Sequence, residues 1–256
     1  MKKNALNCDW DTYSAASWRG YGKYLHPIRD LLPPKLEWLI GVETQKQKLF
    51  ANTIAFLEER EAMNVLLWGA RGMGKSSLIQ ATLEHFSSKK LRMVEVNCDD
   101  LQILPILMDN LRKYNYYFII FCDDLSFEKP NKSYKALKSV LEGSLEQFPK
   151  NVLIYATSNR HHLIKELQSD NQTLYTQELH AQNQIDEKLS LSDRFGLSLG
   201  FYASSIEEYR KQVEYYFGKP IDDTLFSRAL VFASSRGGKS GRVAKQFHIA
   251  FCNQLL

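Results

Sequence analysis

The nine residues Gly69, Ala70, Arg71, Gly72, Met73, Gly74, Lys75, Ser76 and Ser77 have the types and spacing for phosphate chemistry. They meet G-x-x-x-x-G-K-S, in which a glycine-rich turn lets backbone N–H groups converge on phosphate oxygens while the positive end of the following helix faces them. In that pattern Lys75 reaches the terminal phosphates and the Ser76 hydroxyl ligates a magnesium ion. The flanks agree: Val65 to Trp68 is a short apolar run, and Leu78 to Phe86 has no Gly or Pro and sets Leu78, Ala81, Thr82 and His85 on one helical face.

A second group of polar residues follows a second apolar run. Phe118 to Cys122 leads directly into Asp123 and Asp124, so two carboxylates emerge at the end of a buried strand, where they would repel unless a cation intervenes. Asp123 is the expected magnesium residue and Asp124 the residue that polarises an attacking water, with Glu128 a weaker candidate for the second role. Thr157, Ser158 and Asn159 follow another apolar run, and a neutral amide at Asn159 can hydrogen-bond both a terminal phosphate and the lytic water. An ordinary polar turn is the competing reading there.

These residues require strands that end together. The expected strands are Val65 to Trp68, Leu91 to Val96, Tyr116 to Cys122, Asn151 to Ala156 and Leu197 to Tyr202. Helices are expected from Gly41 to Arg60, with Leu49, Thr53, Phe56 and Leu57 buried, from Asp99 to Lys113 with a break at Pro105, and from Tyr134 to Phe148. Strands alternating with helices predict an α/β fold, a doubly wound parallel five-stranded sheet with ligands at the C-terminal ends of its strands. After Ser204 only helical segments follow, Ile206 to Phe217, Asp222 to Ser234 and Ser240 to Leu256, which predicts a small helical second domain. Residues 1–40 mix aromatics (Trp10, Tyr13, Trp18, Tyr21, Tyr24) with prolines and no sustained period, and are expected to be an extended arm or cap docked by its aromatic rings. The expected division is thus 1–40, 41–203 and 204–256.

A chain of 256 residues, 44 % apolar, can bury a sizeable core. A net charge of +4 is too small to name nucleic acid as a partner. The N-terminus has no apolar run of signal-peptide length and no stretch approaches the ~18 apolar residues of a membrane span, so a cytoplasmic protein without membrane association is expected. Cys8, Cys98, Cys122 and Cys252 lie far apart and are expected to be inert thiols. His161 and His162 are adjacent and cannot face one metal from a helix. Lys129, Lys132, Lys135 and Lys138 recur every third residue, a solvated helix face by default and a pore or nucleic-acid contact otherwise. Neither internal repeats nor low-complexity tracts are present.

The blocks NVLLWGARGMGKSS, FIIFCDDLSFE, YKALKSVLEGSLEQFPKNVLIYATSNRHHL, EKLSLSDRFGLSLGF and SGRVAKQF resemble an uncharacterised bacterial family of predicted ATPases in the AAA+ superfamily, from Gly41 nearly to the C-terminus. The resemblance implies a P-loop NTPase core with a helical lid, ATP and Mg2+ as ligands, and no known substrate. Paired aspartates where many AAA+ proteins have Asp-Glu are similar to the initiator and helicase-loader branch. Arg194, in LSDRFG, looks like the arginine that such subunits insert into a neighbour's site; a salt bridge to Asp193 or Glu187 is the alternative. Arg242, in SGRVAKQF, looks like the lid arginine that reaches the phosphates, and Ser240 is expected to cap its helix. The chain departs from the family at Met73 and at Glu61 to Met63. The expected activity is ATP hydrolysis by a homo-oligomer that remodels or loads a macromolecular partner. The alternatives are an ATP-dependent switch or scaffold with little turnover, and a nucleic-acid-associated loader.

Overall fold

The computed structural model describes residues 5–32, 34–127, 131–143, 148–159 and 191–255. Among the described residues seven strands form one sheet: β1 (Ala15–Arg19), β2 (Tyr24–Pro27), β3 (Val65–Gly69), β4 (Leu91–Glu95), β5 (Tyr117–Cys122), β6 (Val152–Ser158) and β7 (Leu197–Phe201). Their order is β2-β1-β4-β5-β6-β3-β7, with only β2 antiparallel to its neighbour. The expected five parallel strands are present, and the sheet is two strands wider than expected. Both additions come from the segment expected to be an extended arm. Ala15, Ala16 and Ser17 read poorly as strand formers, yet β1 is buried on both faces and pairs with the open edge of β4.

Seven α-helices are described: α1 (Glu43–Leu57), α2 (Lys75–Phe86), α3 (Leu104–Leu111), α4 (Lys132–Glu142), α5 (Ile206–Phe217), α6 (Asp223–Ser235) and α7 (Gly241–Cys252). One face of the sheet packs Ile120, Ile154 and Leu66 against Leu107, Leu111 and Leu137 of α3 and α4, and takes in Trp10, Trp18 and Leu25 from the N-terminal segment. The opposite face packs Leu67, Ile119 and Tyr155 against Leu49 and Phe56 of α1 and Leu78, Ile79 and Phe86 of α2. Both faces of β5 and β6 are therefore covered, which is why these strands read as unbroken apolar runs.

Local chemistry sets several boundaries. Pro105 does not break a long helix; it lies in the first turn of α3, where its missing N–H costs nothing, after a 3-10 turn over Cys98–Ile103. The Asn131 carboxamide oxygen accepts from Tyr134 N and starts α4, whose described part ends at Glu142 before Gly143; Leu145 lies outside the described residues. Ser205 and Glu208 form a reciprocal capping box on α5. Ser240 caps α7 as expected, its Oγ accepting from Val243 N at 3.3 Å. The last three helices share their own core, with Tyr209, Val213, Phe226, Ala229 and Phe247 buried together. Among the described residues no helix is long and apolar enough to cross a membrane.

Candidate nucleotide site

The parallel strands β3, β5 and β6 aim their C-terminal ends at one cleft of about 590 Å³. The Gly69–Ser77 turn leaves β3 and opens α2, as its spacing requires. Gly72 has φ +79°, and a Cβ there would lie 2.9 Å from Ser240 Oγ and 3.2 Å from Arg242 Cβ. Only glycine allows both that backbone and that approach, which brings the N-terminus of α7 onto the loop. Met73, one of the family departures, is half-buried, packed against the core on the α1/α2 side of the sheet, and also lines the cleft.

Lys75 is buried, and its ammonium donates to Gly69 O (2.7 Å), Ala70 O (2.8 Å) and Asn159 Oδ1 (3.2 Å). All three acceptors are neutral. Burial lowers the Lys75 pKa, Asp124 and then Asp123 oppose that, and Arg242 and Arg71 add to it. The Asp123 carboxylate accepts from Ser76 Oγ and from Thr157 Oγ1, each at 2.6 Å through Oδ1. Thr157 Oγ1 in turn accepts from Asp124 N at 2.9 Å, so one hydroxyl ties the Asp-Asp turn to β6. Asp124 has φ +51°, a left-handed conformation that aspartate tolerates better than most residues. Its carboxylate accepts from Asn159 Nδ2 at 2.5 Å. Asn159 therefore touches both Lys75 and Asp124, where the sequence placed a polar sensor. Glu128, the other candidate for the water role, lies outside the described residues, as do Lys129, His161, His162 and Glu187.

This donor set fits a magnesium-bound phosphate chain. A buried cation facing neutral oxygens gains most from an anion, and Ser76 with Asp123 offers the hard oxygen ligands that magnesium takes. Arg242 lines the same cleft from α7. Arg194 is not among the residues that line it, and it pairs with Glu142 at the end of α4.

The sequence reading missed a second wall. Pro34, Trp38, Leu39, Ile40, Gln212, Tyr216 and Lys245 also line the cleft. Trp38 to Ile40 belong to the segment expected to be an arm, and Gln212 of α5 fastens them by donating to Ile40 O at 3.2 Å. Their signal was the aromatic and apolar trio just ahead of α1, which no periodicity marks. Burial raises the thiol pKa of Cys8 to about 11 and those of Cys98 and Cys122 above the ordinary range, which leaves these cysteines poor nucleophiles at neutral pH.

A family model described as "Protein of unknown function (DUF815)" matches residues 11–255. The chain belongs to this family. No curated protein matches it in sequence. Among solved structures, a single-site mutant of Thermotoga maritima RuvB superposes with a TM-score of 0.58 at 18 % identity, covering 88 % of this chain and 67 % of that one. The Aeropyrum pernix ORC1 protein, solved in complex with DNA, gives a TM-score of 0.61 at 16 % identity, covering 87 % and 64 %. The chain spans about two thirds of the length of these structures. At such identities the likeness is one of fold: this DUF815 member has the AAA+ type of P-loop fold.

Proposed function

We propose that the chain is a magnesium-dependent ATPase that works as an oligomer and couples its cycle to remodelling or loading a macromolecular partner. The observation that carries the reading is the placement of Lys75, buried on three neutral oxygens with Asp123 and Asp124 across the cleft. In this reading the loop N–H groups and Lys75 hold the phosphates, and Ser76 and Asp123 hold magnesium, which supplies charge neutralisation on the phosphate oxygens. Asp124 orients and polarises water. Asn159 fixes that carboxylate and is released from it when its amide turns to the terminal phosphate. Trp38 to Ile40 and Tyr216, which line the cleft, receive the base, and residues 204–256 act as a lid that brings Arg242 to the phosphates.

Arg194 serves a neighbouring subunit's phosphate, since it is held at Glu142 outside its own cleft. Two inactive variants test this. Arg194→Ala retains ATP binding and loses turnover, while Lys75→Ala keeps the arginine and lacks a working loop. Mixed oligomers, verified by native mass spectrometry, regain part of the activity through interfaces that combine an intact loop with an intact Arg194. Mixed oligomers without recovered turnover refute the role in trans.

A further inference from the structure

Residues 28–32 follow β2 and stand across a groove from α2, on the face of the sheet that bears α1 and α2. The groove encloses about 340 Å³ over a floor of Leu83, Met93 and Phe121, all buried. Its outer wall is apolar and wet: Leu32 has a relative exposure of 92 %, and Leu31 is exposed beside it. A single exposed leucine is ordinary, but two on the wall of an apolar groove mark a surface that gains by being covered. Ile28 N donates to Ala15 O at 2.9 Å, and beyond it, among the described residues, 29–32 make no backbone hydrogen bond. This wall therefore offers N–H and C=O groups as well as side chains.

The charge on the groove has one sign. Asp30, Glu84 and Glu95 line it, and no lysine, arginine or histidine is among its lining residues. None of the three carboxylates makes an ion pair with a described residue. Arg19 and His26 share this face, Arg19 beyond Ser17 on β1 and His26 opposite Ser17 on β2, and neither pairs with them. Glu84 is also placed against the interest of its own helix. It lies in the last turn of α2, where the negative end of the helix disfavours a carboxylate. Ser87, the C-cap of that helix, lines the groove as well, so the helix end adds to the carboxylates. A carboxylate kept against the helix dipole without a cation from its own chain suits a cation from outside.

We infer that this groove binds an extended segment of a partner protein in which apolar residues alternate with lysine or arginine. The apolar side chains cover Met93, Phe121 and Leu32, and the cations reach Asp30 on one wall and Glu84 on the other. The partner's backbone pairs with 29–32 as an added strand does. A small organic cation would meet the carboxylates and leave the leucines wet, so it fits the groove less completely. Both walls lead to the nucleotide cleft: α2 starts at the glycine loop, and the chain after 28–32 runs on to Trp38–Ile40, which line that cleft. The inference gives the macromolecular partner of the proposed ATPase a chemistry and rests on that reading only for coupling; the binding itself is independent of it.

The test is fluorescence anisotropy of the full chain, without nucleotide, with the labelled peptide Gly-Leu-Arg-Leu-Arg-Leu-Gly. One control peptide replaces each arginine by glutamate and another each leucine by serine; both bind at least about tenfold more weakly. Asp30→Asn with Glu84→Gln weakens binding of the Leu-Arg peptide about twofold to thirtyfold, as the loss of two surface ion pairs does. Asp30→Lys with Glu84→Lys moves the preference to the Leu-Glu peptide. Leu32→Ser weakens binding about tenfold, while the melting temperature stays at the wild-type value because that side chain stands in water. Glu84→Gln alone melts no lower than wild type and still binds more weakly, a combination that a structural role for Glu84 does not give. No binding of the Leu-Arg peptide, unchanged binding by Asp30→Asn with Glu84→Gln, equal binding of the Ser-Arg control, or full displacement by an equal concentration of spermine each overturns the inference. ATP binding measured by calorimetry on the same samples separates this failure from failure of the nucleotide site.

Discussion

Thr157 makes the two contacts that hold the Asp-Asp turn, and replacing it by valine removes both while keeping its shape. Its hydroxyl donates to Asp123 Oδ1 at 2.6 Å and accepts from Asp124 N at 2.9 Å, in a side chain that is 2 % exposed. A hydrogen bond to a carboxylate contributes about 1.5–3 kcal/mol and a neutral one about 1 kcal/mol. Asp123 is exposed and keeps Ser76 as a donor, so water replaces part of the first contact. The net loss is about 2 kcal/mol, or a fall in melting temperature of roughly 4–8 °C for a chain of this size. With the turn loosened, Asp123 and Asp124 sample positions outside the reacting geometry, and kcat falls about tenfold or more at little change in KM. Differential scanning calorimetry on the nucleotide-free protein and steady-state phosphate release measure the two effects. A Thr157→Val variant with wild-type melting temperature and wild-type kcat refutes the bridging role.

Lys75→Met probes the buried cation. The Lys75 pKa is lowered by burial, so its protonated form weakens folding at neutral pH, and that penalty lifts only as pH climbs through the lowered value toward the ordinary lysine range. The nucleotide-free Lys75→Met protein therefore melts higher than wild type at pH 7, while ATP at a hundred times the wild-type Kd no longer adds the ~2.7 kcal/mol that binding gives the wild type. Glu142→Gln removes the Arg194–Glu142 ion pair, in which both side chains are partly exposed. Such pairs contribute about 0.2–1 kcal/mol, so the protein concentration giving half-maximal turnover drops by up to about fivefold, read from activity against dilution.

The glycine loop and the Asp-Asp pair were legible because each is a contiguous motif whose chemistry is set by spacing. Thr157 as the tie between them was not, since it depends on strand register: Cys122 pairs with Ala156, which sets Asp123 beside Thr157 across 34 residues of sequence. The Arg194–Glu142 pair joins residues 52 apart and has no local signal. The N-terminal strands were hidden for a different reason. Ala15, Ala16 and Ser17 are small, β2 has four residues, and their place is decided by the open edge of β4, not by propensity. The three C-terminal helices were readable because their caps, Ser205, Asp222 and Ser240, precede clear apolar stripes.

The central claim is that this cleft hydrolyses ATP, and Asp124→Asn tests it most directly. Asparagine tolerates the left-handed backbone at φ +51° as well as aspartate does, so the fold and the loop remain. It keeps the size and loses the charge that polarises water. Measured side by side with the wild type, in magnesium and ATP, by calorimetric binding and by phosphate release, the variant is expected to bind ATP within about threefold of wild type and to turn over at least about a hundredfold more slowly, a difference of roughly 2.7 kcal/mol in the barrier. Wild-type turnover by Asp124→Asn, or no magnesium-dependent phosphate release by the wild-type chain across the concentrations at which it self-associates, contradicts the account.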